Sequence, residues 1–519
     1  MLAGGLNVLS FDPVGWWPVQ CLSLAFLFSL ILRERPSDDT TAAAVFTRRQ
    51  IGWLAWSYSF SWLFGTISWL LIAMTRYGDM PVGMSLLALA LLTAFLAMYA
   101  GLFGVTTHWL RQRWQTSAAT TGLLLMPALW TLGEWLRSWL LTGFPWTISG
   151  YAHTSSPLAG YAPLIGVLGV GWLNAVLAGL LALAWRAGMA TRHGESKTTW
   201  RTPVAVLIVG ATLLFGIGQG LRQVAWTQPH GAPISVSLLQ GNVAQDVKFD
   251  QEHLNESLSL YHDMILAAPA DLVATPETAL PMLSSQLPVD YLPLLNAFAQ
   301  RSGSAVLIGL GVHDGGSRYS NSLLGFSPLH QARAYRYDKH HLVPFGEFVP
   351  LGFRWLVDMM KIPLGDFSSA GIAQAPMAVR DQFVMPNICY EDLFGDEIAQ
   401  QLFAQNASSG PVATILLNAS NMAWYGDSFA IPQHLQLSKM RVLETGRPML
   451  RATNTGATAV IDVGAGLVAE LPPLTRGTLR ATVQGRSGMT PYVMIGNAGV
   501  LILVLLSIAV AWWMARQRS

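Results

Sequence analysis

Seven stretches of this chain are each long and apolar enough to cross a lipid bilayer, and that repetition settles the architecture before any other feature is weighed. A hydrocarbon core about 30 Å thick takes roughly 20 helical residues to span. Only a helix or a closed barrel satisfies its own backbone hydrogen bonds where there is no water. The windows lie near 16–32, 51–74, 84–108, 118–140, 162–185, 203–221 and 495–514. Bulk composition agrees, with 52% of residues hydrophobic and only 12% charged, far from the balance of a soluble domain. The first window has neither a basic flank before it nor a small-residue cleavage site after it, so it reads as a retained span rather than a signal peptide. A net charge of +2 without basic–aromatic blocks excludes nucleic acid as a partner.

Lys and Arg gather in alternate short loops: Arg33, Arg35, Arg48 and Arg49; Arg111 and Arg113; Arg192, Lys197 and Arg201; and Arg516 with Arg518. The intervening loops are poor in them, with Arg76 in one and none from 138 to 161. Basic loops stay in the cytoplasm, so the long stretch before the last window is expected on the opposite side. Three regions follow: about six transmembrane helices over 1–221, an extracytoplasmic domain over 222–494, and a final transmembrane helix with a short basic tail over 495–519. Residues 1–13 read as the stub of a shortened first helix.

From about 230 the texture changes to short β-rich runs punctuated by Gly, Pro and Asp, alternating with amphipathic stretches at 251–267, 289–302, 396–406 and 432–446. That series predicts one α/β domain. Within it the run "FVMPNICYE" ends on Cys389, one of two cysteines in the chain; the other, Cys21, lies inside an apolar window. A thiol at a strand-to-helix turn stands exposed at the sheet edge, where the next backbone N–H is available to an oxyanion. An inert buried cysteine is the plain alternative. To attack a carbonyl the thiol needs a base and a cation, and two other strand ends present them. "ATPET" offers Glu277 and "YRYDKHHLVPFGE" offers Lys339. Taken singly, each is equally an N-cap or a solvated loop charge.

The three segments "PE" (276–277), "YDKHHLVPFGEFVPL" (337–351) and "ICYED" (388–392) resemble the Glu-Lys-Cys constellation of the nitrilase, or carbon-nitrogen hydrolase, superfamily. That resemblance implies an α-β-β-α sandwich. With membrane helices around it, and with "PALWTLGEWLRSWLLTGFPW" (127–146), "LLNASNMAWYGDS" (416–428) and "QHLQLSKMRVLETGRPMLRATNTG" (433–456), the chain resembles the membrane-embedded apolipoprotein N-acyltransferase family. The implied fold is a polytopic α-helical membrane domain with an inserted extracytoplasmic α/β domain of nitrilase type.

The resemblance implies that Cys389 accepts an acyl group from a phospholipid as a thioester, that Glu277 is the general base, and that Lys339 and the Tyr390 backbone N–H stabilise the oxyanion. It gives Glu347 and Glu391 supporting roles, and makes Trp424, Tyr425 and the Phe249 position candidate substrate contacts. The acyl donor it implies is phosphatidylethanolamine, and the acceptor is the N-terminal amine of a diacylglyceryl-modified apolipoprotein. No metal and no cofactor enters. The setting is the inner membrane of a bacterium, as a monomer with its catalytic domain in the periplasm. Phe249 and Met422 depart from the residues common in the family, Trp and Asp respectively, and bear on substrate-side detail.

Glu134 and Arg137, three apart on one face of a predicted span, read as a pair near the helix end that orients the "TGFPW" loop or a lipid headgroup, since ionisable groups in a membrane default to function, with a purely structural ion pair as the plain alternative. The apolar run 351–365 is a candidate membrane-surface lid or an ordinary buried helix. His340 and His341, adjacent on a strand, point to opposite faces and cannot share an ion. Two other readings stay open here: a membrane-tethered amidase that passes its acyl group to water, and a lipid transporter with a non-catalytic outer domain.

Overall fold

The computed structural model describes residues 1–33, 46–192, 201–248, 251–315, 318–329, 334–350, 352, 354 and 367–517. Phe249, Arg35, Lys197 and, apart from Gly352 and Arg354, the run 351–365 lie outside them. The chain divides into two compact units, one of Met1–Ser68, Leu86–Val224 and Ile495–Ser519, the other of Trp69–Ser85 and Ala225–Met494.

The first unit is helical. All seven apolar windows are helical, but they are not all of spanning length. Among the described residues four helices are long and apolar enough to cross a membrane: Val82–Trp114, Pro157–Met189, Arg201–Leu221 and Ala498–Arg516. Arg48–Thr66, which Thr47 opens with a capping box, continues after a 61° bend into Leu70–Tyr77, and the two together make a fifth. Trp17–Ile31 is apolar but shorter. The 118–140 window begins with the short helix Ala118–Thr120, passes through a π-turn at Thr121–Leu125 and continues as Met126–Trp139, whose last turns bury Glu134 and Arg137. Hydropathy alone therefore overstates the regular helix in three windows: one is a shorter helix, one is bent and one holds a π-turn.

Among the described residues the second unit has fifteen strands: β1 (Gln228–Pro229), β2 (Ile234–Gln240), β3 (Leu272–Ala274), β4 (Leu280–Leu283), β5 (Ala305–Gly315), β6 (Arg318–Phe326), β7 (Tyr335–Asp338), β8 (Met377–Val379), β9 (Gln382–Ile388), β10 (Ile415–Ser420), β11 (Met449–Thr453), β12 (Ala459–Ile461), β13 (Leu467–Glu470), β14 (Gly477–Val483) and β15 (Arg486–Ser487). They form a seven-stranded sheet in the order β14-β2-β3-β5-β6-β7, with β4 alongside β5, a six-stranded sheet in the order β13-β12-β11-β10-β9-β8, and the β1–β15 pair. The inner faces meet in one apolar core: Val236, Leu238, Leu307, Leu323 and Tyr337 of the first sheet against Val384, Ile388, Leu417 and Leu450 of the second.

Helices Gln251–Leu266 and Tyr291–Ser302 cover the outer face of the larger sheet through Leu258, Ile265, Leu295 and Phe298, against Val273, Val306 and Ile308. Gly395–Ala407 and Ala430–Thr445 lie with the smaller sheet, the latter against β11. The layers are α-β-β-α, and the near-continuous burial of β3, β10 and β11 is that of strands covered on both faces. β2, β3 and β5 run parallel, as do β9, β10 and β11. Their carboxyl ends are where loops can gather functional groups.

Candidate active site

β9 ends at Ile388, and the next residue turns the chain into a short 3-10 helix, Cys389–Leu393. Cys389 makes that turn at φ 52°, a left-handed conformation that costs a residue with a Cβ roughly 1–2 kcal/mol. The strained corner pushes a half-buried thiol out of the strand line, as at other strand-to-helix nucleophiles. Burial raises the Cys389 pKa well above that of an ordinary thiol and Glu277 adds to this, while Lys339 and a hydrogen bond from the Asn421 backbone work the other way. A resting thiolate is therefore scarce, and the proton must leave as the sulfur attacks.

Lys339 follows β7 directly and is 1% exposed. Its Nζ donates to Glu277 Oε1 at 3.2 Å and to Glu347 Oε1 at 2.9 Å. Burial disfavours its charge, but these two carboxylates outweigh burial and raise its pKa. Glu277, three residues past β3, receives Asn321 Nδ2 at 2.8 Å on Oε1 and the Asn421 backbone N–H at 3.0 Å on Oε2. Burial opposes its ionisation, yet Lys339 and Asn321 prevail and hold its pKa below the usual carboxylate value. Glu347 is fixed in turn by Asn321 Nδ2 at 2.8 Å and the Val343 N–H at 2.8 Å. The sequence-predicted trio is thus gathered with Glu347 into one buried charge cluster, bridged by Asn321.

Glu391 points elsewhere. It accepts from the backbone N–H groups of Ile388 and His340, each at 2.6 Å, and of His341 at 3.2 Å, and from Tyr337 Oη at 2.9 Å. It thereby ties the end of β7 to the cysteine turn, a positioning role. Tyr390 packs its ring edge-on against Phe394 at 5.3 Å, beside His341, which stacks on Phe394 at 3.6 Å. His340 Nδ1 meets the Ala370 carbonyl and His341 Nδ1 meets Glu397.

A second network went unforeseen. Arg451, wholly buried on β11, pairs with Asp392 at 3.3 Å and donates Nη2 to His434 Nδ1 at 2.9 Å, while Ser438 joins Arg451 and Asp392. Arginine only donates, so His434 carries its proton on Nε2, which donates to the Cys389 carbonyl at 3.2 Å. Burial and Arg451 push the His434 pKa far down, keeping the ring neutral. A charged residue inside the apolar run "MLRAT" was the available signal for this network; an Asn in "NSLLGF" was the signal for Asn321.

Trp424 and Tyr425 are half-buried on the turn after β10. Tyr77 meets Trp424 at 5.6 Å and Trp69 meets Tyr425 at 4.5 Å, both edge-on. Met422 is buried. In the helical unit, Glu134 Oε1 accepts from the Ser149 N–H and Oγ at 2.8 and 2.7 Å, and Arg137 Nη1 donates to the carbonyls of Phe144 and Trp146, both at 2.9 Å. Arg137 thus holds Phe144 and Trp146 of the TGFPW segment, and Glu134 holds Ser149, three residues beyond it.

Residues 3–180 match the family described as apolipoprotein N-acyltransferase N-terminal domain, and residues 235–492 match carbon-nitrogen hydrolase. Relatives named apolipoprotein N-acyltransferase align nearly end to end. That of Ralstonia nicotianae is 46% identical over 512 residues, covering 98% of this chain and 91% of the relative. That of Bordetella bronchiseptica is 40% identical over 541 residues, with 98% and 95% covered. That of Nitrosomonas europaea is 39% identical over 524 residues, with 99% and 97% covered. With a nitrilase-type sandwich inserted in sequence before the last apolar helix, and with relatives this similar over their whole length, the chain is an acyltransferase and belongs to the apolipoprotein N-acyltransferase family.

Proposed function

We propose that this enzyme moves a fatty acyl chain from a phospholipid, phosphatidylethanolamine foremost, to the N-terminal amine of a diacylglyceryl-modified apolipoprotein, by way of a thioester on Cys389. The observation that carries this reading is the strained Cys389 corner facing a glutamate that Lys339 keeps ionised. In the first half-reaction Glu277 takes the thiol proton as Sγ attacks the ester carbonyl. Lys339 Nζ and the Tyr390 backbone N–H stabilise the oxyanion, and the lysophospholipid alkoxide leaves with the proton from Glu277. In the second, the acceptor amine attacks the thioester and an amide forms. Ester to amide runs downhill, so no ATP is required.

Glu347 and Asn321 position Lys339 and Glu277, and Glu391 and His434 position the cysteine turn. Trp424 and Tyr425 border the acyl chain, and Phe249 is a further substrate contact. The domain over 222–494 stands in the periplasm, flanked by the inner-membrane helices of 1–221 and 495–519, in a monomer that uses no metal or cofactor. The basic loops at 48–49 and 111–113 and the tail Arg516 support that orientation.

The test is the intact mass of the purified protein, wild type beside Cys389→Ser, after incubation with phosphatidylethanolamine and then with neutral hydroxylamine. A hydroxylamine-labile, acyl-sized increment on the wild type alone is expected. Free fatty acid released without such an increment would instead make the enzyme a hydrolase.

A further inference from the structure

Lys248 ends the short helix Gln245–Lys248 and is 2% exposed. Its one hydrogen-bond partner among the described residues is the backbone carbonyl of Glu277, at 3.4 Å. The contrast with Lys339 is sharp, because that lysine is held between two carboxylates at 3.2 and 2.9 Å. The titratable groups facing Lys248 are Glu277 and Cys389; Asp246, on its own helix, turns away to Arg76 at 3.4 Å. Burial lowers the Lys248 pKa to about 8, with Glu277 and Cys389 pulling the other way. Burial of an ammonium with a single hydrogen-bonding carbonyl is costly, and it brings the neutral amine, with a lone pair to offer, within reach near neutral pH.

The second half-reaction needs such a group. The acceptor arrives as an ammonium of pKa about 7.7–8.0, which is not a nucleophile. Glu277, held below the usual carboxylate pKa, is too weak a base to take a proton from an ammonium of that pKa, although it can take the far more acidic nitrogen proton of the tetrahedral adduct. A base whose pKa matches that of the acid transfers protons most effectively near neutrality.

We propose that Lys248 is the base that deprotonates the acceptor's α-ammonium, so that Cys389, Glu277 and Lys339 serve both halves of the cycle and Lys248 serves only the second. The inference rests on the function proposed above. Lys248 Nζ takes one proton from R–NH3+ and the free amine attacks the thioester carbonyl. The C–N bond forms and the C–S bond breaks. Glu277 takes the second nitrogen proton and returns it to the Cys389 thiolate, while Lys248 releases its own proton to solvent.

The experiment uses the full-length enzyme in phosphatidylethanolamine nanodiscs, with Lys248→Met and Lys248→Arg beside the wild type. Thioester formation is read by mass, and transfer to a diacylglyceryl lipopeptide is read separately from pH 6.5 to 9.5. Both variants are expected to acylate within about threefold of the wild type, while transfer at pH 7 falls about 100-fold, the span of a lost general base. That deficit should close as pH rises and the lipopeptide deprotonates itself. Transfer to hydroxylamine, an amine already neutral at pH 7, should be unchanged in both variants.

Restoration of transfer by Lys248→Arg would overturn the inference in favour of a fixed charge. Equal loss in both half-reactions, or equal loss with lipopeptide and hydroxylamine, would overturn it in favour of a structural lysine. Unchanged transfer in both variants would also overturn it. Failure of the wild type to form a thioester would instead sink the function on which the inference rests.

Discussion

Two carboxylates and one lysine would repel or collapse without Asn321, whose single amide nitrogen gives one hydrogen to Glu277 and the other to Glu347. Asn321→Leu leaves both oxygens short of a donor in a buried site, a loss of about 2 kcal/mol. Thioester formation is expected to slow roughly 30-fold in stopped-time mass measurements, with the melting temperature shifted far less. Glu277, held below the usual carboxylate pKa, is ionised throughout the neutral range. The acylation rate should therefore be flat from neutrality down to about pH 5, and decline only as the pH falls through the lowered pKa. A limb between pH 6 and 7 in a pH–rate profile would contradict the assignment. Glu277, Lys339 and Cys389 were legible in the sequence because each stands at the end of a β-run, apolar before Glu277 and Cys389 and alternating before Lys339. Asn321, Asn421 and His434 were not, because an amide in or just after a strand, or an imidazole on a helix, looks the same whether it bridges catalytic groups or merely fills a gap.

At the scale of elements, the four helices of the catalytic unit and most of its strands were readable from periodicity. β1, β4, β8, β13, β14 and β15 escaped because they are short or carry mixed burial. The window near 51–74 reads as one span, but the chain bends by 61° within it, and Trp69–Ser85 joins the catalytic unit. Periodicity cannot report this, since the residues beyond the bend are as apolar as those before it. What they contact is the turn after β10: Trp69 meets Tyr425 and donates Nε1 to Gln433 Oε1 at 3.2 Å, and Tyr77 meets Trp424. Trp69→Ala removes an edge-on pair worth about 0.5–1.5 kcal/mol. Amide exchange over 423–427 is expected to quicken about threefold to tenfold, with β9 and β10 still protected. Unaltered exchange there would mean that the turn holds itself.

For the whole molecule the orientation test is direct. In a Cys389→Ser background, Val289→Cys, 91% exposed, should react with a membrane-impermeant maleimide in spheroplasts. Gln115→Cys, beside Arg111 and Arg113, should react only after lysis, and the reverse pattern would invert the topology. The division into membrane and α/β regions was legible from composition alone, because 20-residue apolar runs and 5-residue β-runs do not resemble one another.

The left-handed Cys389 corner carries a consequence for how such an enzyme persists. Any β-carbon there is unwelcome, so Cys389→Gly should be more stable than Cys389→Ala by about 1 kcal/mol in a melting comparison. A library sorted for thermal robustness alone would drift toward glycine at 389 and return well-folded, inert protein. What holds a cysteine at this corner is therefore its chemistry, against the preference of the backbone that carries it.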